Sequence, residues 1–203
     1  MNGINACGIR REKKMGNGTR DKITQYISEL GALLEKLPVD DIDRVVSLLE
    51  KTREGRGQVF IIGNGGSAAT ASHFACDLAK GAISEGKQRI KAFALTDNVH
   101  LLTAWANDTS YDMVFAEQIN NYVEPGDVVI AISGSGNSPN VLNGITVARE
   151  KGATTVGLIG FSGGKLKELV DIHVIAPIDN MEQAEDMHLL FEHIITACLR
   201  ESE

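Results

Sequence analysis

Neutral hydrogen-bond donors crowd two short stretches of the chain, Gly63-Asn64-Gly65-Gly66-Ser67 and Ser133-Gly134-Ser135-Gly136-Asn137-Ser138. Each follows an apolar run and opens a helix-length segment. Glycines let backbone N–H groups approach an oxyanion, serine hydroxyls donate further bonds, and a helix N-terminus adds the positive end of its dipole. Neither stretch contains Lys or Arg, which suits a phosphate held by neutral donors. Ser67, Ser133, Ser135 and Ser138, with the amides of Gly65, Gly66 and Gly134, are the expected anion ligands. The alternative is a pair of tight turns with serine caps. Asn64 and the Thr96-Asp97-Asn98 stretch also follow apolar runs and are assigned to sugar hydroxyls, with capping as the alternative. Gly63-x-Gly65-x-x-Ala68 fits a dinucleotide fingerprint, but Asp97, the nearest candidate for its ribose-binding acid, lies 29 residues past Ala68. There is no GxxxxGK[ST] loop for a nucleoside triphosphate.

A second constellation carries proton and metal chemistry. His73 and Asp77 stand four residues apart and share a helix face. The last helical segment carries Glu185, His188 and His193. One helix giving His and Asp and another giving Glu and His could close a four-ligand site of N and O atoms. Histidines satisfied in a core or at a surface are the alternative. Glu185 and His193 would stand ~12 Å apart along a straight helix, so His188 is the substitute ligand if that span is not bridged.

The elements that must position these groups read as alternating strands and helices. Ile23, Tyr26, Ile27, Leu30, Leu33, Leu34 and Leu37 recur at helical spacing, Pro38 ends that helix, and Asp40 or Asp41 can cap the next one. These two helices, 20–37 and 40–54, precede any strand. Strands are expected at Val59–Ile62, Ile90–Leu95, Val128–Ile132, Thr155–Ile159 and Ile172–Ala176, most of them apolar on both faces as in a covered parallel sheet. Helices are expected near 67–82, 98–121, 138–151, 163–169 and from Met181 to Glu203. The alternation predicts a doubly wound α/β domain, with ligands at the carboxyl ends of its strands.

Composition narrows the class further. With 43% hydrophobic and 23% charged residues over 203 positions, the chain can bury an ordinary core. Cys7, Cys76 and Cys198 are odd in number and widely spaced, which fits a reducing compartment rather than a disulfide framework. Without a stretch approaching ~20 apolar residues, no membrane partner is expected and the location reads as cytoplasmic. Residues 1–20 carry a net +4 against −7 for the whole chain, so the remainder carries −11. An acidic body opposes nucleic-acid binding, and residues 1–19, rich in Gly and Asn, read as a flexible tail before a single domain at 20–203.

Several motifs together resemble the sugar isomerase (SIS) family: GNGGSAATASHFACDLAKG, ALTDN at 94–98, ISGSGNSPNVL at 132–142 and MHLLFEHI near the end. The similarity runs from about residue 20 to the C-terminus and is strongest to the phosphoheptose isomerase branch. It implies a five-stranded flavodoxin-like parallel sheet, with the two N-terminal helices as extra elements, and a homotetramer with active sites at subunit contacts. It further implies conversion of sedoheptulose 7-phosphate to D-glycero-D-manno-heptose 7-phosphate through an enediol(ate), with Asp77 and His193 as the catalytic acid–base pair. The other readings are a DiaA-like non-catalytic phosphosugar or protein-binding module, and an isomerase of another sugar phosphate. Metal-dependent members hold one zinc per subunit with a His and a Glu four apart on one helix and a Gln and a His eight apart on the last. The matching positions here are His73, Asp77, Glu185 and His193, and Glu185 also serves as a substrate ligand. Asp77 stands where the family has Glu, and Glu185 where it has Gln. The resulting set suits Zn²⁺ and also Mn²⁺, Fe²⁺ or Co²⁺.

Overall fold

The protein is described here by a computed structural model covering residues 17–201. The expected tail at 1–19 lies outside the described residues as far as 16, and its last three residues already belong to a helix. The chain divides into two compact units, one ending at Lys36 and the other running from Leu37. The first contains α1 (Asn17–Leu34), on which Ile23 and Ile27 are exposed.

All remaining elements belong to the second unit. It opens with α2 (Val39–Glu54), followed by β1 (Gln58–Gly63) and α3 (Gly66–Cys76). Next come β2 (Lys91–Ala94), α4 (Val99–Asp108), α5 (Ala116–Tyr122), β3 (Val128–Ser133) and α6 (Pro139–Glu150). The unit closes with β4 (Thr154–Gly160), α7 (Leu166–Leu169), β5 (Ile172–Ala176) and α8 (Met181–Glu201). The five strands form one parallel sheet in the order β2-β1-β3-β4-β5. This is the flavodoxin-like order that the motifs implied, and its switch point lies between β1 and β3.

Strand alternation divides the core in two. Phe60, Ile62, Val129 and Ala131 face a cluster with Phe115, Ile119, Val141 and Ile145 from α5 and α6. Val59, Ile61, Ile130 and Ile132 point the other way and are equally sealed from solvent. On that side α8 packs against both α2 and α3, and all three lie on the sheet. Every β3 residue is buried, as expected of a central parallel strand.

Three local expectations differ from the structure. Neither Asp40 nor Asp41 caps α2; its N-cap is Pro38, and Asp41 turns to pair with Arg44 at 3.1 Å. The single helix expected at 98–121 is broken after Asp108, where Thr109 bonds back to the Trp105 carbonyl at 2.7 Å and Asn107 bonds to Asp108. Short polar side chains there compete with the helix for its own backbone. The helix expected at 67–82 changes pitch at Asp77: α3 ends at Cys76 and a π-helical turn follows from Asp77 to Gly81, closed by Ala82 N–H donating to the Asp77 carbonyl at 2.8 Å. Turns of this kind sit frequently at functional sites.

Candidate functional site

Gly63 at the end of β1 pairs in register with Ile132 near the end of β3, so the two glycine-rich loops leave the sheet side by side at the switch point. Gly65 at the N-cap of α3 has φ +56°, a conformation glycine adopts without strain. In the second loop the Ser133 hydroxyl accepts from Gly136 N–H at 3.1 Å, and the Ser135 hydroxyl accepts from Asn137 N–H at 3.2 Å. Both hydroxyls keep their own proton to donate. Ser138 begins α6 without a side-chain cap bond, which leaves its hydroxyl available as well. A cavity of about 280 Å³ lies between the loops and the start of α8. It is lined by Asn64, Gly65, Gly66 and Ser67 from the first loop and by Ser133, Gly134, Ser135 and Ser138 from the second. Glu185 of α8 closes its rim, against Gly66: a Cβ built there would meet both carboxylate oxygens at 2.5 Å.

Thr96, Asp97 and Asn98 do not line this cavity. Asn98 caps α4 by accepting from Leu101 N–H at 3.1 Å, and Asp97 accepts from the Ser72 hydroxyl, beside Thr96. Asp97 and Asn98 instead border a larger, mostly apolar cavity of about 560 Å³ along the edge strand β2, where Phe93 and Tyr122 stack on either side of Phe60.

The proton and metal candidates converge farther along α3 and α8. His73 of α3, Asp77 at the opening of the π-helical turn, and Glu192 and His193 of α8 offer ligand atoms that all lie within 4.8 Å of one another. Asp77 Oδ2 is 3.9 Å from His73 Nε2 and 4.0 Å from His193 Nε2. The two imidazoles meet edge to face with centroids 5.1 Å apart. Glu192 Oε1 lies 3.3 Å from His73 Nδ1 and 3.7 Å from His193 Nε2. The Glu192 carboxylate is sealed from solvent and neither oxygen has a hydrogen bond. Burial, and after it the Asp77 carboxylate, push its pKa up to about 8. The orphaned oxygens beside two imidazoles and a second carboxylate fit a divalent cation.

The structure thus brings His73, Asp77 and His193 together, as the spacing implied, but places Glu185 with the anion loops. Its helix is unbroken over 181–201, and the ~12 Å of rise between Glu185 and His193 is not bridged. His188, the proposed substitute, is sealed in the core beside Phe191, where burial pushes its pKa down to about 4. Glu192 was missed. Its signal was an acid on the apolar stripe of α8, between Met187 and Phe191 on one side and Ile195 on the other. Asn140 and Tyr111 were missed too. Asn64 and buried Asn140 exchange amide hydrogen bonds, both at 2.9 Å, and the Tyr111 hydroxyl donates to Asn64 Oδ1 at 2.8 Å.

Parallel helices link the two sites. Gly66 of α3 meets Glu185 of α8, and seven residues later on each helix His73 meets Glu192. The glycine-rich loops and the histidine–carboxylate cluster therefore lie at two ends of one seam, ~10 Å apart by helix rise.

Comparison with known proteins agrees with this geometry. The SIS domain family matches residues 25–160. Phosphoheptose isomerase of Aliarcobacter butzleri is 40% identical over 156 residues, spanning 77% of this chain and 82% of that protein. The solved phosphoheptose isomerase of Neisseria gonorrhoeae superposes with a TM-score of 0.83 at 29% identity, covering 89% of this chain and 98% of that one. The Francisella tularensis enzyme gives 0.85 at 27% identity, covering 91% and 99%. With its loops at the switch point and its motifs in family order, the chain belongs to the SIS domain family, in the branch of the phosphoheptose isomerases.

Proposed function

We propose that the protein is an aldose–ketose isomerase that converts sedoheptulose 7-phosphate to D-glycero-D-manno-heptose 7-phosphate. The observation that carries this reading is the seam itself, with neutral phosphate donors at one end and a carboxylate–imidazole pair at the other. A seven-carbon sugar extended from its phosphate ester reaches on the order of 9 Å to the carbons that must exchange a proton, by ordinary bond lengths. That matches the rise between the two ends.

The chemistry then follows from the residues. Ser67, Ser133, Ser135, Ser138 and the loop amides of Gly65, Gly66 and Gly134 hold the phosphate; Asn64 and Glu185 reach the sugar hydroxyls nearest it. Thr96, Asp97 and Asn98 stay as hydroxyl contacts for a sugar that extends past Ser72. Asp77 takes the proton from C1 of the ketose while His193 gives one to O2, which yields the enediol. Asp77 returns the proton to C2, and His193 accepts the O1 proton as the C1 aldehyde forms. His73, Asp77 and His193 with one further carboxylate are proposed to hold a divalent ion, zinc first among the candidates, which when bound adds charge stabilisation to the enediolate oxygens.

His73 and His193 are each about half exposed, with side-chain exposures of 47% and 48%. An enediolate needs shelter from water. A homotetramer whose neighbouring subunits cover the cluster would supply it, and the exposed Phe93, Tyr122 and Ile27 are apolar surface for such contacts. Among the described residues no helix is long and apolar enough to cross a membrane; a cytoplasmic location and the lack of a nucleic-acid partner are part of the proposal.

The test is deuterium incorporation at C1 or C2 of sedoheptulose 7-phosphate in deuterated water, run beside pentulose and hexulose phosphates. Exchange with the heptulose phosphate supports the reading. Preferential exchange with a shorter sugar moves the substrate, and no exchange with any of them removes the enzyme.

A further inference from the structure

The family pattern points to position 185 for the last metal ligand, and in this chain position 185 faces elsewhere. We propose that Glu192 completes the metal centre with His73, Asp77 and His193, making it a two-histidine, two-carboxylate site, while Glu185 belongs to the phosphosugar cavity. This deepens the metal reading above and rests on it.

Glu192 is sealed from solvent, and neither of its oxygens has a hydrogen bond. A carboxylate is rarely left so, because the lost hydration has to be offset by a cation or by donors. The titratable groups that face it are His73 and Asp77 across the seam and His193 on its own helix. Asp77 adds like charge. Two carboxyl groups so close repel each other when ionised, and a divalent ion between them would remove that repulsion.

The spacing agrees. Ligands ~2.0–2.1 Å from a tetrahedral ion stand roughly 3.3–3.4 Å from each other. Taking one ligand atom from each residue, the four lie within 4.8 Å of one another, so an inward rotation of side chains on two packed helices brings them to one ion. Glu185 has no such path. It sits two helical turns earlier on α8, with its carboxylate against Gly66. Two carboxylates also make the donor set harder than one carboxylate with an amide, which favours Mn²⁺, Fe²⁺ and Co²⁺ relative to the family arrangement.

The experiment titrates Zn²⁺ and Co²⁺ into chelator-treated full-length protein by calorimetry, with the visible spectrum of the cobalt form as a second readout. Wild type should bind one ion per chain. Glu192→Gln should weaken binding by a factor of about 100 or more and change the cobalt spectrum, because one anionic ligand is gone. Glu185→Gln should stay within about threefold of wild type. If Glu192→Gln does not fold, Glu192→Asp serves in its place: it keeps the charge but withdraws the oxygens by one methylene, and should bind at least tenfold more weakly. Wild-type affinity and spectrum in the Glu192 variant overturn the proposal, as does a larger loss in Glu185→Gln or a wild type that takes up no ion. Deuterium exchange separates this from the isomerase reading. Turnover by a wild type that takes up no ion sinks the metal centre and keeps the isomerase, whereas metal uptake without turnover does the reverse.

Discussion

Replacing Ser133 and Ser135 by alanine, singly and together, separates the phosphate role of the second loop from its role as a turn. Each hydroxyl accepts one loop N–H and keeps its proton for a ligand. A hydrogen bond to a charged oxygen contributes ~1.5–3 kcal/mol, so either substitution should lower kcat/KM by roughly 10- to 150-fold. The loss should fall on KM, because the phosphate is remote from the reacting carbons and its contacts are made alike in ground and transition states. The two variants then part company in stability. Ser133 is 5% exposed and its partner, Gly136, is buried, so Ser133→Ala orphans a buried N–H. That costs ~1–3 kcal/mol of folding free energy, or about 2–9 °C in Tm at the scale of a domain of this size. Asn137 is exposed and water can replace the Ser135 oxygen, so Ser135→Ala should unfold within about a degree of wild type. Steady-state kinetics and thermal unfolding read the two effects independently. Unchanged KM and kcat in both single variants and the double would refute the phosphate assignment. Equal Tm losses would refute the accounting of the loop's internal bonds.

Three further outcomes follow from the site and the core. Asp77→Asn should lower kcat by about 10²–10⁴ while the fold stays intact, and Asp77→Glu should keep measurable turnover; full activity in Asp77→Asn would make the residue a bystander. Buried His188 has its pKa pushed down to about 4 from 6.5, so the unfolded chain takes up its proton first as pH falls. Stability should therefore be complete above about pH 6.5 and drain away towards pH 4, by on the order of 3 kcal/mol in total. Urea unfolding across that range should show a shallower pH slope in His188→Gln, and superimposable slopes would discount the buried imidazole. Tyr111→Phe removes the 2.8 Å bond to Asn64 from an exposed ring, so KM should rise by less than about fivefold with Tm unchanged, and a large fall in kcat would show a role beyond steadying Asn64.

What the sequence disclosed and what it hid divide along physical lines. The strands were legible because parallel strands buried on both faces are continuous apolar runs, and β3 and β5 begin where those runs begin. The anion loops were legible because glycine and serine are the residues such loops require, and their convergence followed from strand order alone. The break at Asp108 was not legible: it depends on which polar side chains turn back on the backbone, and helical periodicity is blind to that. Glu192 was hidden for another reason. A pattern of matching positions directs attention to 185 and 193, whereas the residue that converges on His73 is fixed by the pairing of α3 with α8. An acid within a buried stripe was the trace it left.

The pairing of those two helices sets how far the short Asp77 carboxylate, which stands where the family pattern has Glu, must reach. Asp77 opens a π-helical turn, and its carbonyl takes the bond from Ala82, five residues on. The wider turn re-aims only the side chains after Asp77, because Asp77 N–H still bonds the His73 carbonyl in α-helical register. The shorter carboxylate then lies at similar distances, 3.9 and 4.0 Å, from an imidazole on each helix. That placement comes from the pairing of α3 with α8, and the π-helical turn packs against α8 as well. Straightening that turn should therefore shift α8 against α3 and harm catalysis even with every named side chain in place. Deleting one residue from the Leu78–Lys80 stretch would restore ordinary helical pitch and test this. Such a variant should fold, retain phosphate affinity at the distant loops, and lose turnover, and wild-type kcat in a folded variant would show that the turn does not set the spacing of Asp77 and His193.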